Sequence, residues 1–195
     1  MPKVSDAYLA ARRRQILDAA AACFARDGFH RTSMQDIVRE SGISAGLVYR
    51  YFEGKDDVIA AIVTEWHDQR QVFASGTVDE RATAYLDYLR SVGSPAAEPA
   101  LRLGVQIWAE AMRNPRIRDL SRRNVDDPRA AVAAALAGVP LVPGVTPDAF
   151  ARVLIAIYQG LALQTTWDEN IDNEAYVSTV AAVLRAVVDP GRPAS

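Results

Sequence analysis

The stretch Thr32–Lys55, TSMQDIVRESGISAGLVYRYFEGK, decides the fold. Its spacing predicts two short helices around a tight turn, followed at once by a third helix. The first can start at Thr32 or Ser33, because either hydroxyl can cap it and Gln35 or Asp36 stands where a capping box needs a partner. Met34, Ile37 and Val38 recur at helical spacing, so one face packs inward. Ser41-Gly42-Ile43 breaks the pattern, with Gly42 able to take the positive φ of a helix C-terminus. Ser44 can cap the next helix, which runs to about Tyr51. Two such helices joined by a short turn containing glycine describe a helix-turn-helix, whose second helix fits a DNA major groove.

The faces of that second helix carry the reading further. At about 100° per residue, a core position at Val48 brings Ser44, Tyr51 and Phe52 to the same side. Gly46 and Arg50 then point away, flanked by Leu47 and Tyr49. The outward face thus holds a small residue that permits close approach, a guanidinium, a phenol and an aliphatic side chain. Arginine can bond bidentately to the O6 and N7 of guanine, and an aliphatic group can meet a thymine methyl. Thr32, Ser33 and Lys55 stand at element ends, where side chains and helix N-termini hold phosphates.

The segment DGFHRTSMQDIVRESGISAGLVYRYFEGKDDVIAAIV closely resembles the N-terminal domain of the tetracycline-repressor (TetR) family of transcriptional regulators. Gly28-Phe29, Thr32-Ser33, Ile37, Gly42-Ile43-Ser44, Gly46, Tyr49, Tyr51-Phe52 and Lys55 match the family pattern in order, over roughly residues 10 to 65. Val38 and Ser41 stand where the family usually has alanine, and Leu47 replaces a frequent serine or threonine. With the outward face, the resemblance implies a DNA contact set of Thr32, Ser33, Ser44, Ala45, Gly46, Leu47, Tyr49, Arg50, Tyr51 and Lys55.

Gly42-Ile43-Ser44-Ala45-Gly46 also satisfies G-x-S-x-G, the nucleophile elbow of α/β-hydrolases. That motif needs a strand before it and a later Asp and His. Here the preceding residues have helical period and the only later histidine is His67.

The chain of 195 residues is half apolar, yet no run approaches the roughly 18 apolar residues of a membrane span. Its N-terminal MPKVSDAYLAARRRQ lacks the apolar core of a signal peptide, so a cytoplasmic location is expected. Cys23 is the sole cysteine and falls on the apolar stripe Ile16, Ala19, Ala20, Cys23, Phe24, as a buried structural thiol would. His30 and His67 are the only histidines and neither has a ligand partner at helical spacing, so no metal site is expected. No cofactor is called for.

Net charge is −2, but its distribution is uneven. Residues 1–55 hold nine Lys/Arg against six Asp/Glu, whereas residues 56–195 hold 13 Arg, no Lys and 18 Asp/Glu. The basic end carries the helix-turn-helix, as phosphate neutralisation requires. The run Arg12-Arg13-Arg14 on the first helix, about Ser5 to Asp27, reads either as a solvated face or as a phosphate or minor-groove contact.

Beyond Lys55 the chain stays helical. Asp56 and Asp57 open a helix carrying Ile59, Ile62, Val63, Trp66 and Phe73, ended by Ser75-Gly76. Helices are predicted over about Asp79–Val92, stopped by Gly93-Ser94-Pro95, and over Glu98–Arg113, closed by Asn114-Pro115. From Pro115 to about Ala137 the period is helical, with Pro128 expected to start or kink a helix. The last two helices run from Pro147 to about Trp167 and from Asn173 to Val188. On the last, Val177, Val180, Val183, Leu184, Val187 and Val188 make a stripe wider than one buried face needs, so a second surface meets another chain. No run of alternating period appears.

The fold expected is therefore all-α, about nine helices: a three-helix helix-turn-helix DNA-binding domain over residues 1–55 and a helical ligand-binding and dimerisation domain over 56–195. The resemblance implies a homodimer through the last two helices and a cavity among helices four to eight. Trp66, Phe73, Tyr85, Tyr88, Leu103, Gln106, Trp108, Glu110, Met112 and Tyr158 are its candidate lining residues. Gln106 and Glu110 are the better hints, since a buried polar group needs a partner. The expected partners are a roughly palindromic double-stranded operator, a second copy of the chain and an apolar or amphipathic small-molecule effector, with no membrane. Such a protein is a transcriptional repressor and not an enzyme. A helical ligand-binding protein without DNA binding is the alternative, and a small helical hydrolase stands behind it.

Overall fold

Ser33 rather than Thr32 starts the second helix. Its hydroxyl accepts from the Asp36 backbone N–H while the Asp36 carboxylate accepts from the Ser33 backbone N–H, the reciprocal capping box. The helix ends at Gly42, which sits at φ 65°, a conformation that costs most residues with a Cβ about 1–2 kcal/mol. The computed structural model describes residues 6–69 and 76–188, with the side chains of 66–69 excepted.

Among the described residues there are nine helices and no strand: α1 (Asp6–Asp27), α2 (Met34–Ser41), α3 (Ala45–Tyr51), α4 (Lys55–Gln69), α5 (Val78–Val92), α6 (Glu98–Ala111), α7 (Pro115–Ala135), α8 (Pro147–Gln164) and α9 (Asn173–Val188). The protein is all-α, as its periodicity requires. Pro128 does not start a helix, because it lies inside α7. Proline there removes a single helical hydrogen bond, and the turns on either side supply enough others to keep the helix going. The G-x-S-x-G motif lies between two helices, so Ser44 is not on a strand-to-helix elbow. Ser75, in the expected helix stop, lies outside the described residues.

The chain forms two compact units, Met1–Trp66 with Arg102–Ser121 and His67–Leu101 with Arg122–Ser195. In the first, α1 lies across α2, and α2 against α3. Its core gathers Ile16, Leu17, Ala20 and Phe24 of α1, Ile37 of α2, Val48 of α3, five residues of α4 from Val58 to Val63, Leu103 and Ile107 of α6, and Ile117 of α7. The Phe24 and Phe29 rings meet edge to face at 4.7 Å. Cys23 is fully buried, and burial pushes its thiol pKa up, as a structural cysteine should show.

In the second unit α5 packs on α8 and α9 around Leu89, Val92, Phe150, Leu161, Val177, Val180 and Leu184. Thr77 caps α5 in a second capping box with Glu80, and Thr146 caps α8 ahead of Pro147. Asn173 of α9 donates from Nδ2 to the carbonyls of Leu89 and Arg90, closing the end of α5. A Cβ on Gly93 would lie 2.9 Å from that Nδ2, so the chain leaves α5 through a residue with no side chain.

Gly42→Ala is expected to lower stability to urea by about 1–2 kcal/mol, although nothing lies within 4 Å of the added Cβ. Gly42→Asn, which tolerates left-handed backbone, is expected to lose less. Equal losses would show that the conformation is not the cause.

Candidate nucleic-acid interface

The third helix is seated by Val48, which is fully buried, with Ile43 before it and Phe52 after it also in the core. Those anchors turn Ala45, Gly46, Tyr49 and Arg50 outward, all exposed, with Tyr49 at 51%. Ser44 holds the N-cap position through its carbonyl, which accepts from the N–H groups of Leu47 and Val48. Its hydroxyl makes no cap hydrogen bond, contrary to the expected capping role, and the side chain is exposed. The helix and its N-cap residue therefore expose a hydroxyl, two small residues, a phenol and a guanidinium.

Four members of the expected contact set are placed differently. Thr32 is 2% exposed, and its hydroxyl donates to the carbonyls of Gly28 (2.9 Å) and Cys23 (3.3 Å). Those carbonyls belong to the end of α1 and the turn after it, where helical partners run out. Lys55 sends its ammonium to the carbonyls of Phe29 (2.5 Å) and Thr32 (3.1 Å) in the same turn. Leu47 is half-buried and packs on the core, which explains an aliphatic residue there without any thymine methyl. Tyr51 is also half-buried against the core, and its hydroxyl is buried without a hydrogen-bond partner among the described residues. Ser33 is exposed, but its hydroxyl works in the α2 cap.

The arginine run at the start of α1 has internal partners. Arg12 donates to Gln15 at 2.6 Å and lies over the Tyr8 ring. Arg13 pairs with Glu65 of α4 at 2.7 Å and covers the Phe52 ring, tying α1, α3 and α4 together. Arg14 meets Asp18 one turn on. On the far side of the turn, Arg116 pairs with Asp57, and Asn114 donates to Asp56 at 3.4 Å. The Arg116 hydrogen bond, helped by the Glu53 backbone N–H, holds the Asp57 carboxyl below its ordinary range. Hydrogen bonds from the Ser33 hydroxyl and backbone do the same for Asp36.

Of the candidate effector residues, Phe73 and the side chain of Trp66 lie outside the described residues. Tyr85, Tyr88 and Tyr158 come together in the second unit. The Tyr85 hydroxyl donates to the Leu154 carbonyl at 2.7 Å, and the Tyr88 and Tyr158 rings stack at 4.9 Å. Tyr176, which is not among the candidates, joins them by donating to the Ile157 carbonyl. Burial raises the phenol pKa of both Tyr85 and Tyr176. The others fall in the first unit. Leu103 is core, Trp108 half-buried, Met112 81% exposed, and Glu110 is paired with Arg113. Gln106 spends its amide on backbone: Oε1 accepts from the Phe29 N–H at 2.8 Å and Nε2 donates to the Phe24 carbonyl at 2.9 Å. The polar partner expected for it is thus part of the chain itself.

A buried-backed helix projecting from a capped helix-turn pair defines a helix-turn-helix protein. Residues 16–62 match the bacterial regulatory proteins of the tetR family, and residues 78–189 match the C-terminal region of BetI-type transcriptional repressors. The chain belongs to the TetR family of transcriptional regulators. It is similar to the HTH-type transcriptional regulator UidR of Escherichia coli strain K12, with 27% identity over 179 residues, 90% of each chain. Its fold is similar to that of Salmonella enterica GusR, with a TM-score of 0.76 at 24% identity over 96% of this chain and 99% of that one. The SmeT–triclosan complex superposes with a TM-score of 0.75 at 24% identity, over 95% and 96%. Among the described residues no helix is long and apolar enough to cross a membrane, and no cluster of three metal-ligating side chains is present.

Lys55→Met keeps the stem and removes the ammonium from two carbonyls, so stability to urea is expected to fall by about 1.5–3 kcal/mol. An unchanged midpoint would show that water replaces the ammonium without cost. Because the Asp57 carboxyl is depressed in the folded state, its contribution is present above its ordinary pKa and is lost as pH falls through the folded value. Asp57→Asn is therefore expected to flatten the fall of thermal midpoint below about pH 4, and parallel wild-type and variant curves would exclude this pair as a cause of acid sensitivity.

Proposed function

We propose that this chain is a homodimeric repressor that reads a roughly palindromic operator and lets go of it when an apolar or amphipathic small molecule binds. The observation that carries the reading is the α3 face: Gly46, Tyr49 and Arg50 stand exposed on a helix whose other side is fixed by Val48. Arg50 is the base reader, bonding guanine, and Tyr49 flanks it. The Ser44 hydroxyl and the Ala45 and Gly46 backbone at the α3 N-terminus hold phosphate. Lys55 and Thr32 serve by shaping the turn that carries α2.

The functional division follows residues 1–55 for DNA reading and 56–195 for effector and dimer. Dimerisation uses α8 and α9, where Val153 is 49% exposed and Val183 42% exposed outside the core stripe of Val177, Val180 and Leu184. A twofold pair through those helices sets two α3 helices one DNA turn or more apart. The effector meets the tyrosine group of Tyr85, Tyr88 and Tyr158, which combines apolar faces with polar tips. A neighbour of the same fold holds triclosan, in keeping with a ligand of that character. Release is a population shift, so operator and effector weaken each other by the same factor, with coupling of about 1–3 kcal/mol. The protein works in the cytoplasm, without cofactor or metal.

The deciding experiment titrates the DNA flanking the protein's own gene against wild type and Arg50→Ala across salt. Tight binding that falls steeply with salt and loses about 1–3 kcal/mol in the variant is expected. Salt-sensitive binding indifferent to Arg50 would move base reading to Tyr49. Absence of binding to that DNA and to unrelated duplexes would leave a helical ligand-binding protein.

A further inference from the structure

The α1 helix ends in a way that depends on a residue 77 positions away from the turn it closes. Gly28, at φ 85°, donates its N–H to the Phe24 carbonyl at 2.9 Å, the single bond of a left-handed C-cap. In the fuller Schellman cap the Gly28 N–H would take the Ala25 carbonyl and the Phe29 N–H would take the Phe24 carbonyl. Here they do not. The Gln106 amide stands between that donor and that acceptor, taking the Phe29 N–H on Oε1 and giving Nε2 to the Phe24 carbonyl. The turn is therefore closed through α6 and not on itself. The closed turn leads directly into α2, which packs against α3.

Other contacts make the same turn the junction of the first unit. The Phe29 ring is buried against Phe24, and its carbonyl is held by Lys55 of α4. Arg113, just beyond α6, contacts the His30 ring. A Cβ on Gly28 would lie 3.6 Å from the Gln106 oxygen, so the amide is packed directly on the glycine that reverses the chain. A helix with no reading residue of its own thus grips the backbone on which the reading helices are hung.

We infer that Gln106 is a positioning residue for DNA recognition: its amide locks the α1–α2 turn in the α6-bridged form and so sets where α3 stands. This rests on the operator-binding reading proposed above. A displacement of α6 is delivered to the turn through this amide, and loss of the amide lets the turn close on itself with α3 displaced from register.

The test compares wild type with Gln106→Leu, which is one atom shorter, apolar and without either bond, and Gln106→Glu, which keeps the acceptor and removes the donor. Each is bound to the gene-flanking duplex and to a scrambled duplex at a temperature where circular dichroism shows all three folded. Gln106→Leu is expected to lose about tenfold in affinity for the flanking duplex, with unchanged affinity and salt slope on the scrambled one. Gln106→Glu is expected to follow it in the same direction. A merely stabilising glutamine would weaken both duplexes alike by reducing the folded fraction, and that outcome, or no loss on either, overturns the inference alone. A wild-type protein that cannot tell the two duplexes apart overturns the operator-reading function and the inference with it.

Discussion

Backbone that leaves a helix inside a protein must find partners for its donors and acceptors, and the five residues from Gly28 to Thr32 pose that problem acutely. The chain reverses there with the Phe29 ring in the core, out of reach of bulk water. Its polar groups are answered by three separate parts of the sequence: the Thr32 hydroxyl from within, the Lys55 ammonium from α4 and the Gln106 amide from α6. None of these bonds is strong on its own. Left unmade, each would leave a part-buried group without its partner, so the three elements are held to one geometry. The rest of the first unit is arranged around that turn.

Surface ion pairs add little energy but reinforce the same arrangement. Arg13 with Glu65 and Arg116 with Asp57 each join elements distant in sequence, at exposures where an isolated pair contributes about 0–1 kcal/mol. Their value is geometric. Arg13 also lies over Phe52, the C-cap of α3, so the guanidinium braces the end of a helix on which Arg50 is exposed. Two arginines of the first unit thus do opposite things. One is immobilised by partners and the other is exposed where a nucleic acid would find it.

Reading residues and supporting residues proved hard to separate from sequence. Helical phase placed Gly46 and Arg50 outward and Val48 inward, because phase is a local property of the backbone. The same phase said nothing of Thr32 and Lys55, whose side chains lie at element ends where orientation is set by the neighbouring turn. Both were expected at phosphate and both are engaged on carbonyls. Gln106 was noticed as a polar residue near an apolar face, but its partners are 77 and 82 residues away, beyond any spacing rule. The tyrosine group shows the reverse: Tyr85, Tyr88 and Tyr158 were legible as large amphipathic residues, whereas Tyr176 on α9 entered only through the packing of α9 on α8.

The helices, most of their ends and the family resemblance are legible in the sequence, because periodicity, the capping box at Ser33 and glycine at position 42 act over a few residues. The sequence by itself also determined which face of α3 looks outward. Tertiary structure alone decided what the polar residues between helices are for. A hydroxyl, an ammonium or an amide carries the same capacity to bond phosphate, ligand or backbone wherever it occurs. Only the packing of α1, α4 and α6 brings unsatisfied carbonyls within 3 Å or so of those groups, and a buried carbonyl claims its donor before any ligand can.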